Sequence, residues 1–193
     1  MAALVLTVGL SLVVGSFLSR SGVEPPGTII AEADSAWRDE EELNILLFPA
    51  PVASSPEVWE ELLPELEAQA AESPGDALAS RRLALAYYNL GYYEDARAVY
   101  EVLLAVEDTA LIRNRLGNVL RDSGDLKGAE EAYRQAVQID PAFPAPYVNL
   151  AELLWRSRRD QEAVAILEQG LGEVPAEARE HLERSLDAMG RAE

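Results

Sequence analysis

The chain contains no cysteine and a single histidine, His181, among its 193 residues. Without cysteine it can form no disulfide, bind no zinc through thiolates and use no thiolate nucleophile. A lone histidine is more often a surface residue than a catalytic one. The sequence also lacks the GxSxG, HExxH and phosphate-binding glycine-loop patterns of common enzyme classes. We therefore expect a protein that is not an enzyme, with no cofactor and no metal.

Positive charge is scarce as well. The chain has 16 lysine and arginine residues against 34 aspartate and glutamate residues, which gives a formal net charge of −18. Such a chain repels the phosphate backbone, so we expect no nucleic-acid partner. The same repulsion argues against binding of lipid headgroups by the polar part of the chain. The densest acidic run, residues 39–42, is expected to be a solvated charge cluster.

An internal repeat is the most informative feature that is present. Ala96, Ala129 and Ala163 are spaced by 33 and 34 residues. Four positions after each alanine there is a large apolar residue, namely Tyr100, Tyr133 and Leu167. Prolines that would initiate helices keep the same register, at Pro74, Pro141 and Pro175. A period near 34 residues with this pattern predicts a stack of helix-turn-helix units, which forms an interaction surface.

The fullest copy of the repeat covers residues 110–143. It contains Leu116-Gly117, Leu120, Gly124, Ala129, Tyr133 and Pro141. This pattern resembles the tetratricopeptide repeat family, and copies at 77–109 and 144–177 repeat it. The third copy departs from the pattern at the turn between its helices, where Arg158 replaces the glycine. The resemblance implies an all-α fold, a solenoid of about three helix-turn-helix repeats with capping helices.

The residue types agree with that fold without the family name. In the first helix of the second repeat, Leu116, Val119 and Leu120 recur at helical spacing. Gly91 and Gly124 can adopt the left-handed conformation that ends a helix. Small residues fall where two helices must approach closely, at Ala84, Gly117, Ala151, Ala96, Ala129 and Ala163. Since no single helix pair can bury its apolar face alone, the core must come from stacking neighbours.

The ends of the array divide the chain further. Residues 56–73 are predicted to be a capping helix that begins at Pro56, or the second half of a degenerate repeat, because Leu62 and Leu66 precede Ala96 and Tyr100 by 34 residues. Pro64 is expected to kink this helix. The repeats span 74–175, and 176–193 form a C-terminal capping helix whose inner side carries Leu182, Leu186 and Met189.

Residues 1–20 and 21–55 precede the array. Residues 2–18 carry no charge, and as a helix they would span about 25 Å, slightly less than a hydrocarbon core of about 30 Å. Segment 1–20 is therefore expected to be a membrane anchor or a signal segment, and the side of the membrane stays open. Segment 21–55 is expected to be an acidic, proline-containing linker. Its apolar run at 45–48 is predicted to be a strand or a docking patch.

The resemblance also implies a binding groove on the concave face, lined by the first helix of each repeat. The predicted groove residues are Arg81, Arg82, Leu85, Tyr88, Asn89, Asn114, Arg115, Asn118, Arg121, Asn149, Glu152 and Trp155, with Leu78, Leu111, Asp122, Ala145, Val148 and Arg156 at further groove positions. Arginine binds carboxylates through two hydrogen bonds, and asparagine can pair with a peptide backbone. The groove therefore predicts an anionic partner or one recognised through its backbone, with Tyr88 and Trp155 as aromatic anchors.

Two functions are compatible with these features. The first is a membrane-tethered or exported adaptor, in the cell envelope or outside the cell, that holds a protein or peptide partner in the groove during assembly of a larger complex. The second is a self-assembling structural subunit, a homo-oligomer whose repeats stack between chains. An enzyme is the least favoured alternative.

Overall fold

The computed structural model describes residues 56–190, and this part of the chain is helical with no strand. The expectations for segments 1–20 and 21–55, including the apolar run 2–18, lie outside the described residues. Between residues 56 and 190, no helix combines the length and the apolar character needed to cross a membrane. The helices are α1 (Pro56–Glu72), α2 (Ala77–Asn89), α3 (Tyr93–Val106), α4 (Ala110–Ser123), α5 (Leu126–Ile139), α6 (Pro144–Arg156), α7 (Asp160–Glu173) and α8 (Arg179–Gly190).

The helices stack in chain order. Helices α2 and α3, α4 and α5, and α6 and α7 form three pairs, and the second helix of each pair also packs against the first helix of the next. The first helices α4 and α6 touch each other directly. This arrangement confirms the predicted all-α solenoid over the described residues.

The small residues of the repeat lie at the helix contacts. Ala96, Ala129 and Ala163 are fully buried, as are the aromatic rings of Tyr100 and Tyr133 that follow them. Gly117 of α4 lies against Tyr133 of α5 so closely that an added Cβ would come within 2.6 Å of the ring atom Cδ1. The alanine and glycine positions are therefore set by contact distance between the two helices of a repeat.

The turn inside each repeat has the same backbone shape. Gly91 and Gly124 adopt positive φ angles of 77° and 94°, in the left-handed region that glycine enters without strain. Arg158 is at the equivalent position of the third repeat and adopts a φ of 62°. It is the one described non-glycine residue with positive φ. The third turn thus has the same backbone geometry as the first two, although the left-handed conformation is energetically unfavourable for arginine.

Side-chain caps rather than the repeat prolines begin three of the eight described helices, α2, α4 and α5. Asp76 accepts hydrogen bonds from the backbone amides of Leu78 and Ala79 at the start of α2, and Thr109 accepts one from Ile112 at the start of α4. Pro74 and Pro141 were expected to initiate helices, but they lie in turns before α2 and α6. The first residue of α6 is Pro144. Proline costs no hydrogen bond at this position, because the first N–H of a helix has no acceptor within the helix.

The two ends of the stack differ. Helix α8 follows a short 3₁₀ turn (Ala176–Ala178) and packs on α6 and α7, where Leu182 is fully buried. Helix α1 runs through Pro64 and packs on α2 around the buried ring of Trp59. Leu62 and Leu66 of α1 stay only partly buried. Within the described residues, α1 therefore keeps a partly open apolar face.

Candidate functional site

The predicted groove residues of consecutive repeats are hydrogen-bonded to one another. Tyr88 of α2 donates its hydroxyl to Asp122 Oδ2 of α4 at 2.7 Å. Asn149 Nδ2 of α6 donates to Asn114 Oδ1 of α4 at 2.9 Å. These contacts join α2, α4 and α6 into one continuous surface. We call the predicted groove residues on these three helices the inner surface.

Asparagines form the centre of the inner surface. Asn118 Oδ1 accepts two hydrogen bonds, from the Tyr133 hydroxyl at 2.8 Å and from Asn149 Nδ2 at 3.2 Å. Asn114 is only 4% exposed. Its carbonyl oxygen is taken by Asn149, so the Asn114 side chain supports the contact between two repeats. The sequence interpretation had placed it at the ligand, and Tyr133 was not recognised as a member of this network.

A charged cluster joins the first and second repeats. Asp122 accepts from Tyr88 and also pairs with Arg121 at 2.7 Å. Burial would raise the pKa of Asp122, but hydrogen bonds from Arg121 and Tyr88 hold it below its usual value. Burial and the hydrogen bond to Asp122 raise the pKa of Tyr88 to about 12. Both groups thus keep their charge state at neutral pH, and Arg121 is engaged within the protein.

Two arginines of α2 differ from the other groove arginines. The Nε atoms of Arg81 and Arg82 are buried, and neither has a hydrogen-bond partner within residues 56–190. By contrast, Arg156 of α6 forms an ion pair with Glu152 at 2.5 Å. Arg115 is half-buried on α4. The inner surface therefore combines satisfied polar networks with two guanidinium groups whose buried Nε atoms lack an acceptor.

The remaining predicted groove residues differ in how exposed they are. Leu85 packs into the apolar cluster around Trp59, so α1 partly covers it. Asn89 is exposed, and its side chain donates to the Leu85 carbonyl at 2.8 Å. Trp155, near the end of α6, is 39% exposed. Trp155 is thus available as an aromatic contact, whereas Leu85 is largely part of the fold.

The single histidine of the chain lies away from the inner surface. His181 lies exposed on α8 with Nδ1 3.1 Å from the guanidinium of Arg184. Across residues 56–190, no group of three or more histidine, aspartate or glutamate side chains could hold a metal ion. The geometry supports an interaction surface.

Two tetratricopeptide repeat models match the sequence, one over residues 81–144 and the other over residues 120–186. Together they cover residues 81–186, which is more than half of the 193-residue chain. The chain therefore belongs to the tetratricopeptide repeat family. Among curated proteins, none matches the sequence significantly.

Solved structures show the same fold. MamA (residues 41 to the end) from Desulfovibrio magneticus RS-1 superposes with a TM-score of 0.57 at 21% identity, covering 77% of this chain and 87% of MamA. A second MamA crystal structure gives 0.56 at 12% identity, covering 69% and 87%. The Yersinia enterocolitica type III secretion chaperone SycD, in complex with a peptide of the translocator YopD, gives 0.52 at 22% identity, covering 58% and 91%. At these identities the similarity establishes the fold alone.

Proposed function

We propose that this protein is a non-enzymatic adaptor that holds a partner polypeptide on its inner surface during assembly of a larger complex. The observation that carries the proposal is the direct bonding of groove residues across repeats, Tyr88 to Asp122 and Asn149 to Asn114. Because these bonds fix the first helices side by side, one extended ligand can contact all three repeats. SycD, which has the same fold, has been crystallised with a peptide of YopD.

The adaptor acts next to a membrane or outside the cell in this proposal. Support comes from the sequence, in which residues 2–18 form an uncharged apolar run. As an uncleaved anchor it tethers the repeats, and as a signal segment it directs their export. Intact-mass measurement of protein from its native membrane or envelope fraction distinguishes these fates. A full-length chain that requires detergent for extraction identifies an anchor, and loss of the apolar run identifies a cleaved signal.

The groove is tested by charge reversal. Arg81→Glu combined with Arg115→Glu is expected to abolish partner capture, because it reverses charge on two adjacent repeats of the inner surface. Lys127→Glu combined with Arg158→Glu is the matched control, since both residues are exposed and lie outside the inner surface. Cross-linked complexes recovered from the native fraction are compared by mass spectrometry. If the groove variant retains every partner, the adaptor proposal fails.

A self-assembling subunit is the second candidate. Helix α1 packs on α2 as the second helix of a preceding repeat would, and Leu62 and Leu66 stay partly buried within the described residues. A neighbouring copy could therefore continue the stack at this end. Light scattering on the full chain tests the alternative. A homopolymer that persists in the Arg81→Glu, Arg115→Glu variant supports self-assembly, and a monomer excludes it.

A further inference from the structure

We propose that the apolar run at residues 45–48 docks on the partly open face of α1 in the same chain. Docking of this run does not depend on what the inner surface binds. Within residues 56–190, the helix that packs substantially on α1 is α2. Several apolar side chains of α1 stay partly exposed beside that contact, namely Val58, Leu62, Leu63 and Leu66.

Helix α1 occupies the place of a second helix in the repeat, because Leu62 and Leu66 precede Ala96 and Tyr100 by 34 residues. In the three complete repeats, each second helix packs on the first helix of its own repeat and on the helix that follows. The described residues supply no such first helix for α1, so its two positions remain partly exposed. The equivalent residues of the complete repeats are at most 1% exposed, namely Ala96, Tyr100, Ala129, Tyr133, Ala163 and Leu167.

The stretch just before α1 is where the covering element belongs. Residues 43–55 precede the range of α2 (Ala77–Asn89) by one repeat of 34 residues. This stretch contains no charged side chain, and its most apolar part is the run 45–48. Pro49 and Pro51 would interrupt a continuous helix there. The run can therefore take the place of a first helix in covering α1 without being a regular helix.

The run is close enough in sequence to reach the whole face. Phe48 is eight residues before Pro56, and an extended chain of that length spans up to about 26–29 Å. Leu66 lies ten residues into α1, which is about 15 Å along the helix axis. Because the tether is short, the run is present at α1 at an effective concentration on the order of millimolar. A second molecule at micromolar concentration competes poorly with it.

Charge also favours this occupant over a second copy of α1. Helix α1 contains six glutamates and no lysine or arginine. Two copies that met through this face would bring their acidic side chains together, and like charges repel. The stretch 43–55 brings no charge to the face. At the other end of the described stack α8 already packs on α7, so a copy that added head to tail would have to displace it.

Photo-cross-linking of the full chain tests the contact directly. Phe48 is replaced by the photoreactive analogue p-benzoylphenylalanine, which keeps an aromatic side chain in the run. After irradiation, mass spectrometry of the digested protein should identify α1 as the main acceptor. Leu62→Glu with Leu66→Glu should reduce this product at least about tenfold, because burying the run would then bury charge.

The matched control changes two exposed valines of α3. Val102→Glu with Val106→Glu should leave the yield of the α1 product within about twofold. Circular dichroism establishes that each variant is folded before yields are compared. A main product on another element, or a yield that the Leu62→Glu, Leu66→Glu variant leaves unchanged, would overturn the docking.

A mixture of isotopically heavy and light chains identifies the chain that supplies the run. The two are unfolded together, refolded and irradiated. Cross-links within one chain join peptides of the same isotope, whereas cross-links between copies also give mixed pairs. Only same-isotope pairs are expected. Abundant mixed pairs would assign the face of α1 to a second copy, which overturns docking within the chain and supports the self-assembling subunit.

Hydrogen exchange tests the docking without any change in α1. Leu46→Ser with Phe48→Ser makes the run polar, and the amides of α1 should then exchange at least about tenfold faster, because burial of the run no longer opposes local opening. Ile29→Ser with Ile30→Ser makes the same kind of change outside the run and should leave α1 within about twofold of the wild-type chain. Unchanged exchange of α5 shows that the stack stays folded. Equal exchange of α1 in the two variants would overturn the docking.

Discussion

The hydroxyl of Tyr88 donates a 2.7 Å hydrogen bond to Asp122, a residue 34 positions further along the chain. That separation is one repeat, so the bond joins equivalent helices of neighbouring units. Asp122 also binds Arg121, its neighbour in sequence. The pair therefore anchors the first repeat to a charged cluster on the second and helps to set the width of the inner surface.

Tyr88→Phe should lower the free energy of unfolding by about 1–2 kcal/mol, because it removes a hydrogen bond to a charged acceptor. Tyr92→Phe is the matched control, since Tyr92 is 46% exposed and its hydroxyl has no described hydrogen bond. Chemical denaturation of both variants measures the difference. A loss no larger than that of the control would show that the bond does not stabilise the stack.

The stabilisation by the Tyr88–Asp122 hydrogen bond should be lost at alkaline pH. The pKa of Tyr88 is raised to about 12, by burial and by Asp122, against about 10 in an unfolded chain. Since the folded state holds the proton more tightly, the stabilisation is fully present below pH 10 and is lost as the pH rises towards 12. The stability difference between wild type and Tyr88→Phe should therefore shrink over this interval in denaturation curves recorded at successive pH values.

Gly117→Ala should destabilise the protein by about 1–3 kcal/mol through overpacking. Its new Cβ would lie 2.6 Å from Cδ1 of Tyr133, a ring that is fully buried and cannot move aside freely. Gly172→Ala is the contrasting change, because that helical position has nothing within 4 Å of the added atom. It should stabilise by up to about 1 kcal/mol. Thermal unfolding compares the two, and equal effects would contradict the close contact.

Arg158→Gly should raise stability by roughly 0.5–1 kcal/mol. The native φ of 62° strains an arginine but suits glycine, although the greater freedom of glycine in the unfolded chain offsets part of the gain. Gly124→Ala tests the reverse change at the equivalent turn and should cost about 1 kcal/mol. The melting temperatures should move in opposite directions, and a destabilised Arg158→Gly variant would contradict the strain.

Glu130 should contribute to stability only above acidic pH. Glu130 accepts hydrogen bonds from Arg159 at 2.6 Å and from Arg134 at 2.8 Å. Both bonds lower the pKa of Glu130, the bond from Arg159 most strongly, although partial burial acts in the opposite direction. A lowered folded-state pKa gives stabilisation that is present above the unfolded value of about 4.3 and lost as the pH falls through the folded value.

Glu130→Gln is therefore expected to be less stable than the wild type at pH 7 by about 1 kcal/mol or less, and this difference should shrink as the pH falls below about 4.3. Thermal unfolding over this pH range makes the comparison. Glu168→Gln serves as control, because Glu168 is exposed and has no ion pair among the described residues. A wild-type advantage that does not shrink on acidification would show that charge is not its source.

The repeat architecture was predictable because its causes are local. Alanine at 96, 129 and 163 and glycine at 91 and 124 are required by helix contact and by positive φ, and neither requirement depends on a distant part of the chain. The left-handed turn at Arg158 could not be read from its own residue type. There the packing of α6 against α7 imposes the turn and outweighs the local preference of arginine.

The polar chemistry of the inner surface was less predictable. The repeat spacing predicted that Asn114, Asn118 and Asn149 lie on first helices. It did not predict the hydrogen bonds between them. Which asparagine is buried depends on how far each helix is rotated against the next. Likewise, Arg121 and Arg82 occupy groove positions in the sequence, and only the structure shows that one is paired and that the other has a buried Nε without an acceptor.

The sequence by itself determined the helical repeat, its register and the residues that close helix contacts, because periodic burial and turn geometry act over a few residues. Only the tertiary structure decided which polar side chains satisfy one another across repeats and which keep unused hydrogen-bonding capacity. The reason is geometric, since a hydrogen bond needs its partners placed within a few tenths of an ångström. That placement depends on the packing of the whole stack.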